Sequence, residues 1–460
     1  MIQENPSELS LPRRRFLTPV PLLLFLSPAI GELLSGSSPP SQFFNPIVSL
    51  LLVGLYGCGA VLVREFAFHS RLNLVGLMLL GCAYGIIEEG LMCKSFFNPH
   101  WGDLGFLNTY GRNGGINWLW SLGLTFYHAT VSIMAPILLV QALFREEAHR
   151  PWLRRRGLIA VSTVFFLDTL LGFVAFDSLP FDTTELKDPK RLAIRLREAR
   201  DPLSCHLRER LAPDTRKLLE RYDGLGPPPK PLQRAMVNEL NRLLPDPSLF
   251  KRLEGVTLTE EIRKRIQRQP KGDDLSRLNR SLLEEAYPHE LARREAYPFR
   301  PTWWQTLGSL MGIAALTLLA LRQRQGKGRP AGRFRPFWNG LALMLAFFIV
   351  GFVMPGLAES GAPIPALLLA FVWLGLFGLL ARSLKRLDSL GDGPYPRAYW
   401  AMGLLTFWMV FGALMEKASP GLENYAGMSL VGLGFALWMI LLTRRWQKGA
   451  EQPAGVEGPF

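Results

Sequence analysis

At 460 residues, 48% of them hydrophobic, the chain gathers its apolar residues into blocks of roughly 18 to 25, which excludes an ordinary soluble domain and indicates membrane-spanning helices. Lys and Arg total 52 against 38 Asp and Glu, for a net charge of +14. The basic residues sit in short segments between apolar blocks, where they orient a membrane protein, and no aromatic-interleaved basic groove supports nucleic-acid binding.

Arg13, Arg14 and Arg15 precede a first apolar block, Phe16 to Leu34. It lacks a clean small-residue cleavage site and contains Pro19, Pro21 and Pro28, so it reads as an uncleaved first span. Further blocks at about 43–66, 73–96, 116–144, 158–177, 303–321, 336–357, 363–381, 400–416 and 426–443 bring the expectation to ten spans. The alternate connections REFAFHSR, REEAHRPWLRRR, RQRQGKGRPAGRFR and RSLKRLDSLGDGPYPR are basic, as are the RRR start and the RRWQK tail. The intervening connections are nearly free of Lys and Arg, apart from one long segment, so the charge bias predicts both termini in the cytoplasm of a bacterial inner (plasma) membrane.

That long segment, residues 178–300, is polar and helix-patterned, with breaks at GLGPPPKP, PDP and QPKGDD. Its 26 basic and 20 acidic residues do not oppose translocation, because long domains cross largely regardless of charge. The expected fold class is all-α: a polytopic transmembrane helical bundle with an extracytoplasmic helical insert. The expected divisions are an N-terminal membrane bundle (1–177), the insert (178–300), a C-terminal membrane bundle (301–446) and a disordered cytoplasmic tail (447–460). The lipid bilayer is the expected environment, and the insert offers a surface for an extracytoplasmic protein partner.

An ionisable side chain inside a span is costly and marks a candidate site. At about 1.5 Å per residue, Glu88 and Glu89 lie roughly 10 to 12 Å below the outer end of the third span, and His128 roughly 15 to 18 Å below that of the fourth. Glu32 in the first span and Asp168 in the fifth fall about 6 and 14 Å deep. This matching depth predicts one polar cavity opening outward and built by spans one, three, four and five. Arg64 and Glu65, at the inner edge, read as a solvated or interface-anchored pair. The loop NPHWGDLGFLNTYGRNGGINW, rich in Gly, Asn and aromatic residues, reads as an interfacial lid or re-entrant segment, and its His100 and Asp103 add a possible ligand pair.

Paired carboxylates with a histidine can activate water or hold a divalent metal. Glu88, Glu89 and His128 are the candidate catalytic residues, with Glu32, Lys94, Asp168, Tyr127, His100 and Arg112 as candidate substrate-binding residues. An intramembrane hydrolase stands first among the readings. A proton- or cation-coupled transporter and a non-enzymatic anchor for the insert are the alternatives, separable by whether the carboxylates serve cleavage, uptake or neither.

Two resemblances bear on this. The paired glutamates and His128 resemble the glutamate-dependent intramembrane proteases of the CAAX-protease and bacteriocin-processing family, in which an EExxxR helix is followed by FxxxH. The resemblance implies Glu as general base and His as electrophile. In this sequence Cys93 holds the Arg position with Lys94 one place later, Leu124 replaces the Phe, and no later span contains a histidine. The phrases SPAIGELLSGSSPP, YGIIEEGLMCKSFF, NTYGRNGGINWLW and LTFYHATVSIMAPILLV are similar to a group of uncharacterised bacterial and archaeal multi-pass membrane proteins over roughly residues 20–145, which implies a shared membrane fold and no assigned activity.

Overall fold

The computed structural model describes residues 18–98, 101, 107, 110–175, 212–221, 231, 232, 235, 301–324, 334–359, 361–391, 393–418 and 426–451. Among these, nine helices are long and apolar enough to cross a membrane, where ten spans were expected; the first expected span is a shorter apolar helix, Pro19–Leu33. We label them α1 (Pro19–Leu33), α2 (Pro46–His69), α3 (Leu74–Met92), α4 (Trp118–Leu143), α5 (Arg155–Ala175), α6 (Trp303–Leu321), α7 (Pro336–Ala358), α8 (Ala366–Asp388), α9 (Pro394–Ala418) and α10 (Met428–Glu451). The protein is thus an all-α polytopic bundle. Its described strands, β1 (Arg112–Asn113) and β2 (Ile116–Asn117), form one small antiparallel hairpin.

The chain divides into two units. The first comprises Met1–Leu170, Trp303–Leu414 and Gly427–Phe460; the second comprises Leu171–Thr302 and Met415–Ala426. In the second unit the longest described stretch outside the span ends is a short helix, Pro213–Arg221, with proline at its first position, Asp214 in its first turn and Leu219 buried. The remainder of the expected insert lies outside the described residues, as does the expected tail from residue 452.

Helix starts follow local chemistry. Asn45, Asn73 and Asn117 each cap a span: Asn45 Oδ1 accepts from the amides of Ile47 (3.0 Å) and Val48 (3.4 Å), Asn73 Oδ1 from Gly76 (2.9 Å) and Asn117 Oδ1 from Trp120 (3.0 Å). The third span is shorter than its apolar block. Helix α3 stops at Met92 rather than near 96, because the Cys93 amide returns to the Glu88 carbonyl (2.8 Å) and Lys94 takes a left-handed φ of 60°. The Lys94 carbonyl then accepts from Phe97 (3.0 Å) and Asn98 (2.9 Å), closing a buried turn.

Helices α3 and α4 form the centre of the first unit. Of their most apolar stretches 78% and 83% is buried, against 11% for α5, whose Ile159, Phe166 and Leu167 face outward as lipid-contacting side chains. A Cβ placed on Gly81 of α3 would lie 2.9 Å from the Ala129 Cα of α4, the close approach that small residues permit between membrane helices. From the second half of the chain, Phe347 and Phe377 pack on Phe126 of α4 with ring centroids 5.7 and 5.3 Å away. The C-terminal spans therefore buttress the centre.

Arg64 and Glu65 correct an expectation. Each is 1% exposed, and they form a buried ion pair rather than a solvated one. Arg64 also donates to the carbonyls of Ala148 (2.9 Å) and Arg150 (2.7 Å) and stacks over Trp152, while Glu65 accepts from the Trp152 amide (3.1 Å). The basic connection after α4 folds back over the pair and removes it from water.

Candidate functional site

Four of the first five spans contain a wider, π-helical segment: Ala29–Leu33 in α1, Val53–Gly57 in α2, Ile87–Met92 in α3 and His128–Met134 in α4. Such segments are rare and concentrate at functional positions. Each of these holds a residue of one polar cluster: Glu32, Tyr56, the pair Glu88 and Glu89, and His128.

His128 is the hub. Its Nδ1 lies 3.2 Å from Glu88 Oε2 and its Nε2 lies 3.2 Å from Glu89 Oε1. Adjacent residues on an ordinary helix diverge by about 100°, and one imidazole can meet both carboxylates only by standing between them and using both nitrogens. Ser132, one turn on in α4, places its Oγ 3.2 Å from Nδ1. Glu89 accepts from Ser95 Oγ, which in turn accepts from Trp120 Nε1 (3.1 Å). The turn at Lys94 is what brings Ser95 back to the carboxylate. Glu89 is therefore held by His128 and Ser95.

A second carboxylate sits beside the triad. Glu32 accepts from the Tyr56 hydroxyl and from Ser38 Oγ (2.5 Å). Three tyrosine rings surround His128, with centroids at 5.4 Å (Tyr127), 6.0 Å (Tyr56) and 6.2 Å (Tyr84). The Tyr127 hydroxyl donates to the Gly31 carbonyl (2.5 Å), and Ser27 Oγ donates to the Ser132 carbonyl (2.7 Å), fastening α1 to α4. Gly31 is required here: a Cβ on it would meet Tyr56 Cε1 at 2.9 Å and Ser132 Oγ at 3.0 Å.

Burial sets the chemistry. Glu88, Glu89 and His128 are 3%, 8% and 2% exposed, so the cluster is enclosed, unlike the outward-opening cavity expected from depth alone. With all three groups ionised the triad carries one negative charge, and with a neutral imidazole two. Either is costly away from water and favours uptake of a proton or a cation. One nitrogen and two carboxylate oxygens, all within 4.8 Å of one another, also form a donor set suited to a divalent ion. Among the described residues, two buried polar atoms here lack a well-aligned hydrogen-bond partner: the Tyr84 hydroxyl and Glu88 Oε2, which is near Nδ1 but out of alignment with it. Orphaned atoms of this kind point to a small guest.

Of the residues singled out from sequence, Glu88, Glu89, His128, Glu32 and Tyr127 come together. Lys94 is buried at the bend below them. Asp168 does not join. It packs against Gly54 of α2, where a Cβ would lie 3.1 Å from its Cγ, and among the described residues no hydrogen bond ties it to the triad. The contributing spans are therefore one, two, three and four, in place of one, three, four and five. Arg112 lies on β1, and its guanidinium donates to the Phe97 (2.9 Å) and Gly115 (3.4 Å) carbonyls; burial pulls it below the ordinary arginine range. His100 and Asp103 lie outside the described residues. The lid expectation meets the short hairpin, which is tied down by Asn117 N to Phe96 O (2.9 Å), Gln305 Nε2 to Gly115 O (3.1 Å) and Tyr110 Oη to Ile364 O (2.8 Å).

Tyr56, Tyr84, Ser95 and Ser132 escaped the sequence reading, which weighed only ionisable groups by depth. The available signal was weaker: hydroxyls in otherwise apolar spans, with Tyr56 and Tyr84 flanked by glycines in LYGCG and AYGII.

Residues 21–187 match an uncharacterized membrane protein family. The matched stretch runs from the first turn of α1 through α5 and contains every residue of the cluster. No curated protein and no solved structure matches the chain.

Proposed function

We propose that this multi-pass membrane protein is a proton-coupled carrier in which Glu88, His128 and Glu89 bind the coupling proton and Glu32 with Tyr56 stands beside them as a relay. One observation carries the reading: both nitrogens of a single imidazole face carboxylate oxygens inside the membrane. A ring so placed can bridge a proton between two acids by changing its tautomer, the arrangement expected of intramembrane proton relays. Enclosure of the triad supports a small cargo at this point over a peptide. The four π-segments and the break after Met92 support discontinuous helices around a binding site, as in carriers. The basic connections support an orientation with both ends of the chain on the cytoplasmic side of a bacterial inner membrane, leaving residues 178–300 outside to meet a protein partner.

The test uses the full chain in phosphatidylcholine vesicles loaded with a pH-sensitive dye. An imposed pH gradient should collapse faster than in empty vesicles, and Glu88→Gln, Glu89→Gln and His128→Gln should each slow the collapse by tenfold or more. A rate unchanged in all three variants overturns the carrier.

A second reading, intramembrane hydrolysis, draws on one observation of its own. The unpartnered Glu88 Oε2 and Tyr84 hydroxyl could hold a water between a carboxylate base and a phenol donor. A membrane-proteome cleavage profile that changes on Glu88→Gln, with proton flux intact, would favour it.

A further inference from the structure

At the opposite end of α3 from the triad lies a cavity of about 440 Å³, within the range of small-molecule sites. Its titratable lining is Arg64, His69, Arg71, His149, Arg397 and Asp388, with the amides of Asn73 and Gln141 beside them, over aliphatic residues that include Leu77 and Leu138. These come from three basic segments far apart in sequence: REFAFHSR at the end of α2, REEAHRPWLRRR after α4 and RSLKRLDSLGDGPYPR across the turn from α8 into α9. The connections that orient the protein by their charge thus converge on one concavity.

Five groups able to carry positive charge line the cavity with one carboxylate, Asp388, and Glu65 stands behind the lining as the counter-ion of Arg64, 3.8 Å from His69 Nε2. Both carboxylates are engaged, which leaves Arg71 and His149 at the rim without one among the ion pairs of the described residues. Asp388 Oδ2 accepts from the Leu74 amide (3.0 Å) and Oδ1 from Arg397 Nη2 (3.3 Å). Arg64 is 1% exposed, and its Nε is buried with no hydrogen-bond partner among the described residues. Arg71 is held at the corner between α2 and α3 with a φ of 52°, uncommon outside glycine, and its side chain and that of His149 are exposed at the rim. A buried arginine with a spare donor, an excess of positive charge at the rim and an aliphatic floor describe a receptor for an anion attached to an apolar body.

We propose that this cavity binds a phosphate group, supplied by the headgroup of an anionic phospholipid whose glycerol and first acyl carbons lie on the aliphatic floor. The inference is independent of the carrier reading, because it uses no residue of the triad. Each arginine at the membrane surface contributes about fivefold to attraction of such a lipid.

The experiment uses the full-length protein with two probes: phosphatidylglycerol in phosphatidylcholine nanodiscs, and inorganic phosphate added to nanodiscs of phosphatidylcholine alone. Native mass spectrometry should show phosphatidylglycerol retained in preference to phosphatidylcholine. Arg71→Asn, which tolerates the left-handed backbone, and His149→Gln should weaken that retention, by about fivefold for the arginine. Both positions are exposed, so a thermal midpoint measured in detergent checks that each variant is folded. If inorganic phosphate raises the midpoint of the parent protein and not of the variants, while no lipid is retained, the phosphate chemistry stands and its source is soluble rather than lipid. If folded variants retain phosphatidylglycerol as the parent does and phosphate shifts nothing, the site is overturned.

Discussion

The Nε2 of His128 lies 3.2 Å from Oε1 of Glu89, across the contact between the two most enclosed helices of the bundle. Because the same ring meets Glu88 through Nδ1, one imidazole serves both carboxylates. Removing it leaves two acids facing each other in a low-dielectric interior. His128→Ala should therefore cost about 3–5 kcal/mol at neutral pH, the loss typical of breaking a buried pair. Denaturant unfolding in detergent measures this, and a loss under about 1 kcal/mol would mean the three groups do not act as a unit.

Ser95 tests positioning rather than charge. Its hydroxyl donates to Glu89 and accepts from Trp120 Nε1 at 3.1 Å, so Ser95→Ala strands a buried carboxylate oxygen and the N–H of a half-buried indole. The expected cost is about 1–3 kcal/mol, with slower proton movement in vesicles. Ser95→Thr keeps the hydroxyl and should restore the proton movement. Failure of Thr to rescue would assign Ser95 to packing alone.

Gly31→Ala places a methyl 2.9 Å from Tyr56 and 3.0 Å from Ser132, forcing α1 away from α2 and α4. Overpacking of this kind costs about 1–3 kcal/mol and should separate Glu32 from the Tyr56 hydroxyl. Gly434→Ala is the control, since nothing lies within 4 Å of its added carbon. Helix propensity alone would raise both midpoints, since Ala favours a helix over Gly, so a Gly31→Ala midpoint that rises with that of the control would show that the contact does not matter.

At the other end, Glu65→Ala leaves Arg64 buried without its counter-ion and takes an acceptor from the Trp152 amide, at a cost of about 3–5 kcal/mol. Glu65→Gln keeps the acceptor and should lose less. Equal midpoints for Ala and Gln would show that the backbone contact contributes nothing.

What was legible in the sequence follows from what each signal depends on. Span number is a property of consecutive residues, since about 20 apolar residues must cross the bilayer and charged ones must not; the positions of α2 and α4 to α9 accordingly fell close to their blocks. The end of α3 was not legible, because Cys93, Phe96 and Phe97 carry the apolar block past Met92 and a Lys or Ser near a span end does not by itself break a helix; only the left-handed turn at Lys94 stops it. Depth correctly grouped Glu32, Glu88, Glu89 and His128, for rise along a helix is fixed by geometry. Depth carries no azimuth, so it also admitted Asp168, which faces Gly54, and passed over Tyr56, which faces Glu32.

The sequence by itself therefore determined an all-α membrane bundle, its approximate spans and the costly residues within them, because burial of apolar length and exclusion of charge are local requirements. Only the tertiary structure decided that one imidazole stands between two carboxylates, that α2 joins the cluster through a tyrosine, and that three basic connections meet around one cavity. Those relations depend on the rotation of each helix about its axis and on which helices touch. Both are set by close packing at small residues such as Gly31 and Gly81.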